Sequence, residues 1–186
     1  WRPTIDLDRT VGAFDAGKPV GGFCTLPCEM MVPGGSLTIA GVTNVAVQPT
    51  HRRRGMLTAM MAHQLRDIHR RGEALAGLFA SEGVIYGRFG YGTGTMAEAW
   101  TIDRHHTAFA REHEQRGSLA FFEPGQMRRV FPALYREATV NRPGAIQRPA
   151  FEWDERAADL EHRRGGGSAF FHVAYQVGGN ADGYAS

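Results

Sequence analysis

The chain has 186 residues, 42% of them hydrophobic, and a formal net charge of +2. This length suffices for one ordinary domain, or for one domain and part of another. The small net charge argues against a protein that binds nucleic acid through its overall charge. No apolar run approaches the ~20 residues that a membrane-spanning helix needs. We therefore expect neither a nucleic-acid partner nor a membrane span.

The first quarter of the chain has the pattern of three strands joined by short turns that contain Gly and Pro. The strands are predicted at Arg9–Asp15, Val20–Val32 and Leu37–Val47. Short turns between successive strands indicate an antiparallel meander. Pro27 has no backbone N–H, which predicts an edge or a bulge at this point of the second strand.

The two cysteines of the chain, Cys24 and Cys28, both lie in the second predicted strand. Their α-carbons would be ~13 Å apart in an extended strand, which is too far for a disulfide. Two buried free thiols are typical of a reducing compartment. We therefore expect a cytoplasmic protein.

A basic helix start follows the third strand. The strand ends at Val47, Gln48-Pro49-Thr50 predicts a tight turn, and Arg52-Arg53-Arg54-Gly55 leads into a helix. The unpaired N–H groups of a first helical turn, the positive end of the helix dipole and the guanidinium groups together suit a pyrophosphate. Gly55 leaves room for phosphates to approach the backbone. The alternative is a basic helix start that is only solvated.

The helix is predicted at Arg54–Arg71 and stops before Gly72. Its apolar residues recur at helical spacing and predict a face that packs on the core rather than a cofactor site: Met56, Leu57, Met60, Met61, Leu65 and Ile68. The apolar stretch Ala74–Ala80 then predicts a buried parallel strand, reached by a helical crossover. A short helix at Val84–Tyr86 and a returning strand at Thr95–Asp103 follow, so that the predicted order from Val20 to Asp103 is β-β-α-β-α-β.

From about residue 104 the composition becomes more polar. Three histidines lie close together in this part of the sequence: His105, His106 and His113. No acidic or cysteine partner completes a ligand set, so we expect no metal site. Two helices are predicted farther on, one after Pro124 and one after Pro149.

The last segment is predicted to be a turn followed by a hairpin. Gly165-Gly166-Gly167 lacks the Lys-Ser/Thr of a phosphate-binding loop, so a helix-to-strand turn is expected there. A strand is predicted at Ala169–Val177, followed by a loop at Gly178–Gly183. Only Tyr184–Ser186 would then remain for the partner strand, so the chain is expected to stop within a hairpin.

The strand, turn and basic helix start resemble the acetyl-CoA loop of the GCN5-related N-acetyltransferases (GNATs). In that pattern an Arg or Gln, two residues, a Gly, one residue and a Gly or Ala follow a strand. The segment Arg52–Leu57 fits it, except that Leu57 replaces the usual small residue. Tyr86, Gly90 and Tyr91 have a spacing that resembles the stretch whose tyrosine protonates the departing CoA thiolate in many GNATs. The alternative role of Tyr86 is packing.

The combination is more specific and resembles the Eis (enhanced intracellular survival) family of GNATs. The resemblance is carried by Val45–Gly55, Ala80–Gly92, Phe151–Asp154 and Arg164–Ser168. It implies an α/β (α+β) protein with the GNAT acyl-CoA N-acyltransferase fold and a mixed, splayed sheet. It also implies an N-terminal GNAT domain at residues 1–104 without its first strand and helices, and part of a second GNAT-like domain at 105–186. A C-terminal sterol-carrier-like domain would be absent from the chain.

The same resemblance implies an activity and its partners. Members of the Eis family use acetyl-CoA to acetylate amines of aminoglycoside antibiotics and of lysine, and they form hexamers. We therefore expect an acetyl-CoA-dependent N-acetyltransferase with a small-molecule amine or a lysine-bearing acceptor. We also expect a homo-oligomer, hexameric in the full-length protein.

By position, the resemblance assigns a role to each part of the site. The pantetheine arm would pair with the backbone of Val45, Ala46 and Val47. The pyrophosphate would be held by Arg53, Arg54, Gly55, Met56, Leu57 and Thr58. Near the cofactor would lie Ser81 and Glu82, and the general acid would be Tyr86. The family's general base is the carboxylate at the end of the full-length chain, and Ser186 would not be that terminus.

A binding module is the alternative to an enzyme. It would be a non-catalytic acyl-CoA sensor, or a nucleic-acid binder that uses the arginine cluster. Asp67, Glu73 and Glu82 follow that cluster in the sequence, and acidic residues there argue against contact with a phosphate backbone.

Overall fold

The computed structural model of the chain describes residues 5–96, 98, 100–103, 105–112 and 114–186. The contacts between residues divide the chain into two compact units. One comprises Trp1–Gly94 and Arg142–Gln147, and the other comprises Thr95–Asn141 and Arg148–Ser186. Within these described ranges each unit has its own β-sheet, of five strands in the first unit and three in the second.

The sheet of the first unit begins with the predicted antiparallel meander. Its strands are β1 (Thr10–Asp15), β2 (Lys18–Val32) and β3 (Gly35–Val47). The β1–β2 and β2–β3 pairs are both antiparallel, which confirms the prediction from the short turns. The register of β2 against β3 shifts between Gly22 and Cys24, where two residues of β3 face one residue of β2.

The helical crossover is also present. Helix α1 (Met56–Arg70) leads to β4 (Ala76–Leu78), which pairs parallel to β3. The sheet is therefore mixed, as expected for the fold class. Met60, Met61 and Ile68 of α1 are buried, so the methionine-rich face is core.

Strand β4 is shorter than the predicted Ala74–Ala80. It pairs with β3 at three positions only, and the last of them joins Val42 to Leu78. Because β3 continues to Val47, its last five residues extend past the paired part of β4. The expected divergence of these two strands is confirmed.

The prediction of a returning strand at Thr95–Asp103 is wrong for the described residues of this segment. Residues 97 and 99 lie outside the described residues, and the others carry no strand assignment. The side chains of Met96, Trp100 and Ile102 are 86%, 83% and 70% exposed. An apolar alternation forms a strand only where a partner and a core face exist, and neither is found for these residues in the described part of the chain.

A short strand from the second half of the chain joins the sheet of the first unit. The sequence did not indicate this strand. Strand β6 (Ile146–Gln147) pairs antiparallel with Glu29 and Met30 of β2. The N–H of Met31 also donates to the carbonyl of Ala145 at 2.8 Å. Two residues are too few to leave a periodic signal in the sequence.

Pro27 lies on an open stretch of β2, as its missing N–H predicted. Its partner on β3 is Ala40, whose N–H donates away from β2, to Leu75 at 3.0 Å. Hydrogen-bonded and non-bonded pairs alternate in an antiparallel ladder, so the Pro27 nitrogen faces the opposite edge. Between the pairings of Cys24 with β1 and of Glu29 with β6, no described strand covers that edge. The missing donor therefore costs no ladder bond.

The second unit packs two helices on an antiparallel sheet. Its elements are β5 (Ser118–Phe122), α2 (Pro124–Thr139), α3 (Ala150–Ala158), β7 (His172–Val177) and β8 (Asn180–Ala185). The strand order is β5-β7-β8. Both predicted helices are present, and Met127, Phe131, Trp153 and Ala174 form the buried core.

The last two strands form a full hairpin, so the prediction of a long loop followed by a short partner strand is wrong. Strand β8 pairs with β7 from Val177–Asn180 to Val173–Ala185. The turn is only Gly178-Gly179, with φ of 56° and 85°. Two successive residues with positive φ form the two-residue turn that suits the twist of a hairpin. The Gly-Gly pair was the signal for this turn.

Two smaller findings concern the cysteines and the helices. Neither cysteine forms a disulfide among the described residues, and only Cys24 is buried, whereas Cys28 is half-buried. The expectation of two buried thiols is therefore correct for one of them. In the described ranges, no helix combines the length and the apolar character needed to cross a bilayer.

Candidate active site

The segment from the end of β3 to the start of α1 is held against the beginning of β2. The N–H of Gln48 donates to the carbonyl of Val20 at 2.8 Å, and its side-chain amide donates to the carbonyl of Pro19 at 2.9 Å. A single 3-10 turn, Pro49–His51, follows. The His51 ring contacts the hydroxyl of Thr50 at 2.8 Å and the carboxylate of Asp15 at 3.0 Å. The turn is thus tied to the β1–β2 hairpin.

The N-terminus of α1 is uncapped. Gly55 is the residue before the helix and has φ of 79°, and no side chain of the described residues caps the first turn. The first bond within the helix runs from the N–H of Ala59 to the carbonyl of Gly55 at 2.9 Å. Among the described residues, nothing accepts from the N–H groups of Met56, Leu57 or Thr58. These three donors lie at the positive end of the helix dipole, which is a ready anion site.

The backbone conformation at position 55 requires a glycine. A Cβ at Gly55 would meet nothing within 4 Å, so space is available, but the positive φ disfavours any other residue. Arg53 also has a positive φ, of 61°. Two left-handed residues within three positions turn the chain sharply, and this turn brings the arginines to the start of the helix.

The three consecutive arginines are not equivalent. Arg52 donates from Nε to the carbonyl of Val47 at 3.4 Å, so its side chain is bonded to the backbone at the start of the same loop. Arg53 and Arg54 are exposed, and in the described part of the chain no carboxylate pairs with either. Their guanidinium groups are therefore available to a bound anion.

The last residues of β3 present an open edge. On one side they pair with β2, from Thr43–Cys24 to Val47–Gly21. On the other side the pairing with β4 has already ended at Val42. Backbone groups alternate between the two edges of a strand. Because Gln48 donates to β2, the groups of Val45 and Val47 face the open edge.

Ala46 has the opposite orientation from its neighbours. A Cβ added at Gly21 of β2 would lie 2.9 Å from the Ala46 carbonyl, which therefore faces β2. Of the three residues that the resemblance placed along the pantetheine arm, two expose their backbone groups and the third does not.

Ser81, Glu82 and Tyr86 follow β4. Parallel strands have their carboxyl ends at the same end of a sheet. The residues that follow β4 therefore lie at the end of the sheet where β3 also ends. Ser81 and Glu82 are exposed. In the described part of the chain, no hydrogen bond or ion pair joins them or Tyr86 to Arg53–Thr58.

Tyr86 is half-buried and packs edge-to-face on Tyr91, with ring centroids 6.0 Å apart. Its carbonyl accepts from the N–H groups of Phe89 and Tyr91 at 2.9 and 3.4 Å. Within the described residues its hydroxyl has no partner. The Tyr91 hydroxyl is buried and has no partner in the described part of the chain. Its burial, followed by the neighbouring Tyr86, raises the pKa of Tyr91.

In the described residues, no group of three or more His, Cys, Asp or Glu side chains could hold a metal ion. His113, one of the three histidines considered above, lies outside the described residues.

A family model described as an acetyltransferase (GNAT) domain matches residues 1–94, the part that contains this site. The chain belongs to the GNAT acetyltransferases. Their shared fold explains the mixed sheet whose parallel strands separate beyond Val42, and the fold class predicted from the sequence is confirmed.

Individual relatives agree with this family assignment. An uncharacterized N-acetyltransferase of Streptomyces avermitilis is 40% identical over 191 residues, covering 99% of this chain and 46% of the relative. N-acetyltransferase Eis of Mycobacterium tuberculosis is 37% identical over 194 residues, covering 100% of this chain and 47% of the relative. The resemblance to the Eis family is confirmed. The chain spans about half the length of these curated relatives.

A solved structure gives the same result. The crystal structure of Eis1 from Mycobacterium abscessus matches with a TM-score of 0.75 and 33% identity, over 98% of this chain and 44% of that chain.

Sequence reasoning missed Asn44 at this candidate site, and it named Tyr91 only as part of the motif that contains Tyr86. Asn44 has a left-handed backbone at the register shift of β3, and Tyr91 packs on Tyr86. An Asn directly before Val45-Ala46-Val47 was the available signal for the first, because Asn adopts positive φ more readily than other non-glycine residues.

Proposed function

We propose that the chain carries the donor site of an acetyl-CoA-dependent N-acetyltransferase of the Eis type. One observation supports this most directly. The continuous segment Val45–Thr58 combines an open strand edge with two arginines and three N–H groups at a helix start that have no partner among the described residues. CoA contains an amide-bearing arm and a pyrophosphate, and it needs both kinds of partner in this order.

The pyrophosphate lies at the start of α1 in this proposal. Met56, Leu57 and Thr58 donate their backbone N–H groups, and Gly55 keeps the chain turned away from the phosphates. Arg53 and Arg54 neutralise the charge, and charge-assisted bonds of this type are the strong ones.

The pantetheine arm pairs with the open edge of β3. Its amides bond the backbone of Val45 and Val47 in the manner of an added strand. Ala46 contributes the geometry of the strand rather than a bond to the arm. Ser81 and Glu82 lie toward the acyl end, after β4.

The chemistry is acyl transfer from sulfur to nitrogen. The acceptor amine attacks the thioester carbonyl carbon, a C–N bond forms, and the C–S bond breaks as the tetrahedral intermediate collapses. Tyr86 donates its phenolic proton to the departing thiolate, and a base takes the proton that the amine loses. The resemblance assigns that base to the carboxylate at the end of the full-length protein.

The acceptor is an amine of an aminoglycoside-like or lysine-type molecule in this proposal, and the full-length protein is a hexamer. Both statements rest on the resemblance to the Eis family. Turnover of an aminoglycoside panel and of lysine peptides by the full-length protein tests the acceptor, and light scattering tests the assembly.

Titration calorimetry on the 186-residue chain tests the donor site. Acetyl-CoA is titrated in one experiment and a short DNA duplex in another, at the same ionic strength. Binding of acetyl-CoA without binding of DNA supports the proposal. Binding of DNA alone would identify the arginines as a nucleic-acid contact and overturn it.

A further inference from the structure

Arg53 has a backbone conformation that its side chain does not favour. Its φ is 61°, in the left-handed region that non-glycine residues rarely adopt. A residue persists in this region only where the surrounding structure enforces the conformation. Within the described residues no carboxylate holds the Arg53 side chain, so the enforcing contacts must come from its neighbours in the turn.

His51 precedes Arg53 by two residues, and both of its ring nitrogens have partners. Nε2 lies 3.0 Å from Oδ2 of Asp15, and Nδ1 lies 2.8 Å from the hydroxyl oxygen of Thr50. A carboxylate can only accept a hydrogen bond, so Nε2 carries a proton and donates to Asp15. In the neutral ring, Nδ1 then accepts from the Thr50 hydroxyl. One tautomer therefore satisfies both contacts.

Asp15 belongs to a well-fixed part of the sheet. It is the last residue of β1 and pairs with Lys18 of β2. The turn between them is only Ala16-Gly17, with φ of 46° and 76°. Two successive residues with positive φ form the tight turn that fixes the register of a hairpin. The Asp15 carboxylate is thus a defined attachment point for His51.

His51 is the last attachment of the turn to this hairpin. The N–H of Gln48 donates to the carbonyl of Val20 at 2.8 Å, three residues before His51. After His51, Arg52 contacts only the carbonyl at the end of β3, at 3.4 Å, which is long for a hydrogen bond. Among the described residues between Gln48 and Arg53, only His51 has a side chain that reaches the β1–β2 hairpin.

The contact between His51 and Asp15 is too exposed to contribute much to folding. The His51 side chain is 16% exposed, but that of Asp15 is 60% exposed. Solvent-exposed pairs of this kind add little to the free energy of unfolding. Order in a binding turn has a separate effect, because a turn that is already ordered loses less conformational freedom when a ligand binds. The contact should therefore matter more for binding than for stability.

We propose that His51, held between the Asp15 carboxylate and the Thr50 hydroxyl, is a positioning residue that keeps Arg53 in its left-handed conformation and so orders the turn for the pyrophosphate. This inference rests on the proposed function, because it assumes that the pyrophosphate lies at the start of α1. In this role His51 needs no contact with the donor or the acceptor.

A double-mutant cycle separates this role from a general effect on folding. Acetyl-CoA is titrated by calorimetry into the wild-type chain, His51→Ala, Arg53→Gly and the double variant. Glycine adopts positive φ without steric cost, so Arg53→Gly removes the unfavourable conformation that His51 is proposed to hold. His69→Ala, which removes an exposed histidine near the end of α1, is the matched control. Thermal unfolding of each variant is followed by circular dichroism.

His51→Ala should weaken acetyl-CoA about tenfold, because the ligand must then restore the conformation of Arg53. Arg53→Gly should also weaken it, since a charge-assisted bond is lost. In the Arg53→Gly background, however, His51→Ala should cause a further loss of only about twofold or less. His69→Ala should bind as wild type does.

Unchanged affinity in His51→Ala, or equal losses in the two backgrounds, would overturn the inference. If a variant of the cycle binds too weakly to measure or loses its cooperative thermal transition, Asp15→Ala and Asp15→Asn decide instead. Asparagine retains an acceptor for Nε2 of His51 and should keep the affinity, whereas alanine should weaken acetyl-CoA about threefold. Equal binding by these two variants would also refute the role of the contact.

Failure of the proposed function gives a different result. A wild-type chain that does not bind acetyl-CoA overturns both proposals. A wild-type chain that binds acetyl-CoA, together with a His51→Ala variant that binds it equally well, overturns only the role of His51.

Discussion

Arg9 and Glu73 form a buried ion pair across the first unit. Nη2 of Arg9 lies 2.8 Å from both carboxylate oxygens, and the two side chains are 8% and 6% exposed. The pair joins the turn before β1 to the turn after α1, 64 residues later in the chain. It therefore fastens the helix that carries the candidate phosphate site to the edge of the meander.

Breaking this ion pair should destabilise the first unit strongly. Glu73→Ala leaves the guanidinium of Arg9 buried without its carboxylate, which typically costs about 3–5 kcal/mol of unfolding free energy. The double variant Arg9→Met, Glu73→Leu removes both charges and should recover most of that loss. Urea unfolding followed by circular dichroism measures both. Glu114→Ala, which breaks the exposed pair with Arg116, should change the free energy by less than about 1 kcal/mol.

The two arginines at the start of α1 should contribute to acetyl-CoA binding, whereas a control arginine farther along the same helix should not. Arg53→Ala and Arg54→Ala should each weaken acetyl-CoA binding by roughly 1–3 kcal/mol, because each removes a charge-assisted hydrogen bond. Arg66→Ala removes an exposed arginine farther along α1 and should leave affinity nearly unchanged. Calorimetry at two salt concentrations checks this, and equal affinities in all three variants would place the phosphates elsewhere.

Tyr86→Phe should reduce turnover by the full-length protein. Loss of one positioned proton donor lowers kcat by roughly 10²–10⁴-fold. The KM for acetyl-CoA should change little because the ring still packs on Tyr91.

Tyr91→Phe is the matched control for this variant. It removes a buried hydroxyl for which the described residues supply no partner, so it should keep kcat and should not lower stability. Near-normal kcat in Tyr86→Phe, measured where chemistry limits the rate, would show that Tyr86 only packs.

Asp159 should make the second unit sensitive to acid. Its carboxylate accepts from Nε of Arg164 and from the N–H of Phe170, each at 3.0 Å. The bond from Arg164 first, and then that from Phe170, lowers the pKa of Asp159 below its ordinary value of 3.8. A lowered pKa in the folded state means that this stabilisation is present above the unfolded pKa. It is lost as the pH falls through the folded one.

Asp159→Asn tests this contribution. Asn tolerates the left-handed conformation at this position, where φ is 39°, and it still accepts from Phe170. Between about pH 5 and pH 2 the unfolding midpoint of the variant should therefore fall less steeply than that of wild type. Parallel curves for the two proteins would show that Asp159 does not bind protons differently in the folded state.

The turn of the last hairpin should depend on glycine at the second of its two positions. Gly179 has φ of 85°, so Gly179→Ala should destabilise the second unit by about 1 kcal/mol or more. Gly183→Ala, in β8 and with nothing within 4 Å of an added Cβ, should cost less. Amide exchange at Tyr175 and Val177 measures the effect on the hairpin. Equal exchange in both variants would contradict the two-residue turn.

The sequence by itself determined the elements whose signals are local. The meander and α1 follow from turn residues and from apolar spacing, which need no distant partner to be recognised. The basic helix start could also be located, because Gln48-Pro49-Thr50 and Gly55 mark its turn within a few residues. The spacing of Tyr86, Gly90 and Tyr91, through its resemblance to GNATs, predicted a role for Tyr86, and the resemblance to the Eis family added Ser81, for which no local pattern predicts a role.

Only the tertiary structure decided how strands pair and which groups remain free. Arg52 differs from Arg53 because the Val47 carbonyl lies within its reach, and that position depends on the bulge at Asn44. For the described residues of the strand expected at Thr95–Asp103, neither a partner strand nor a core face is found, whereas the two residues of β6 form a strand because they pair with β2. Pairing and burial depend on residues far apart in the chain, so a pattern read along the chain cannot specify them.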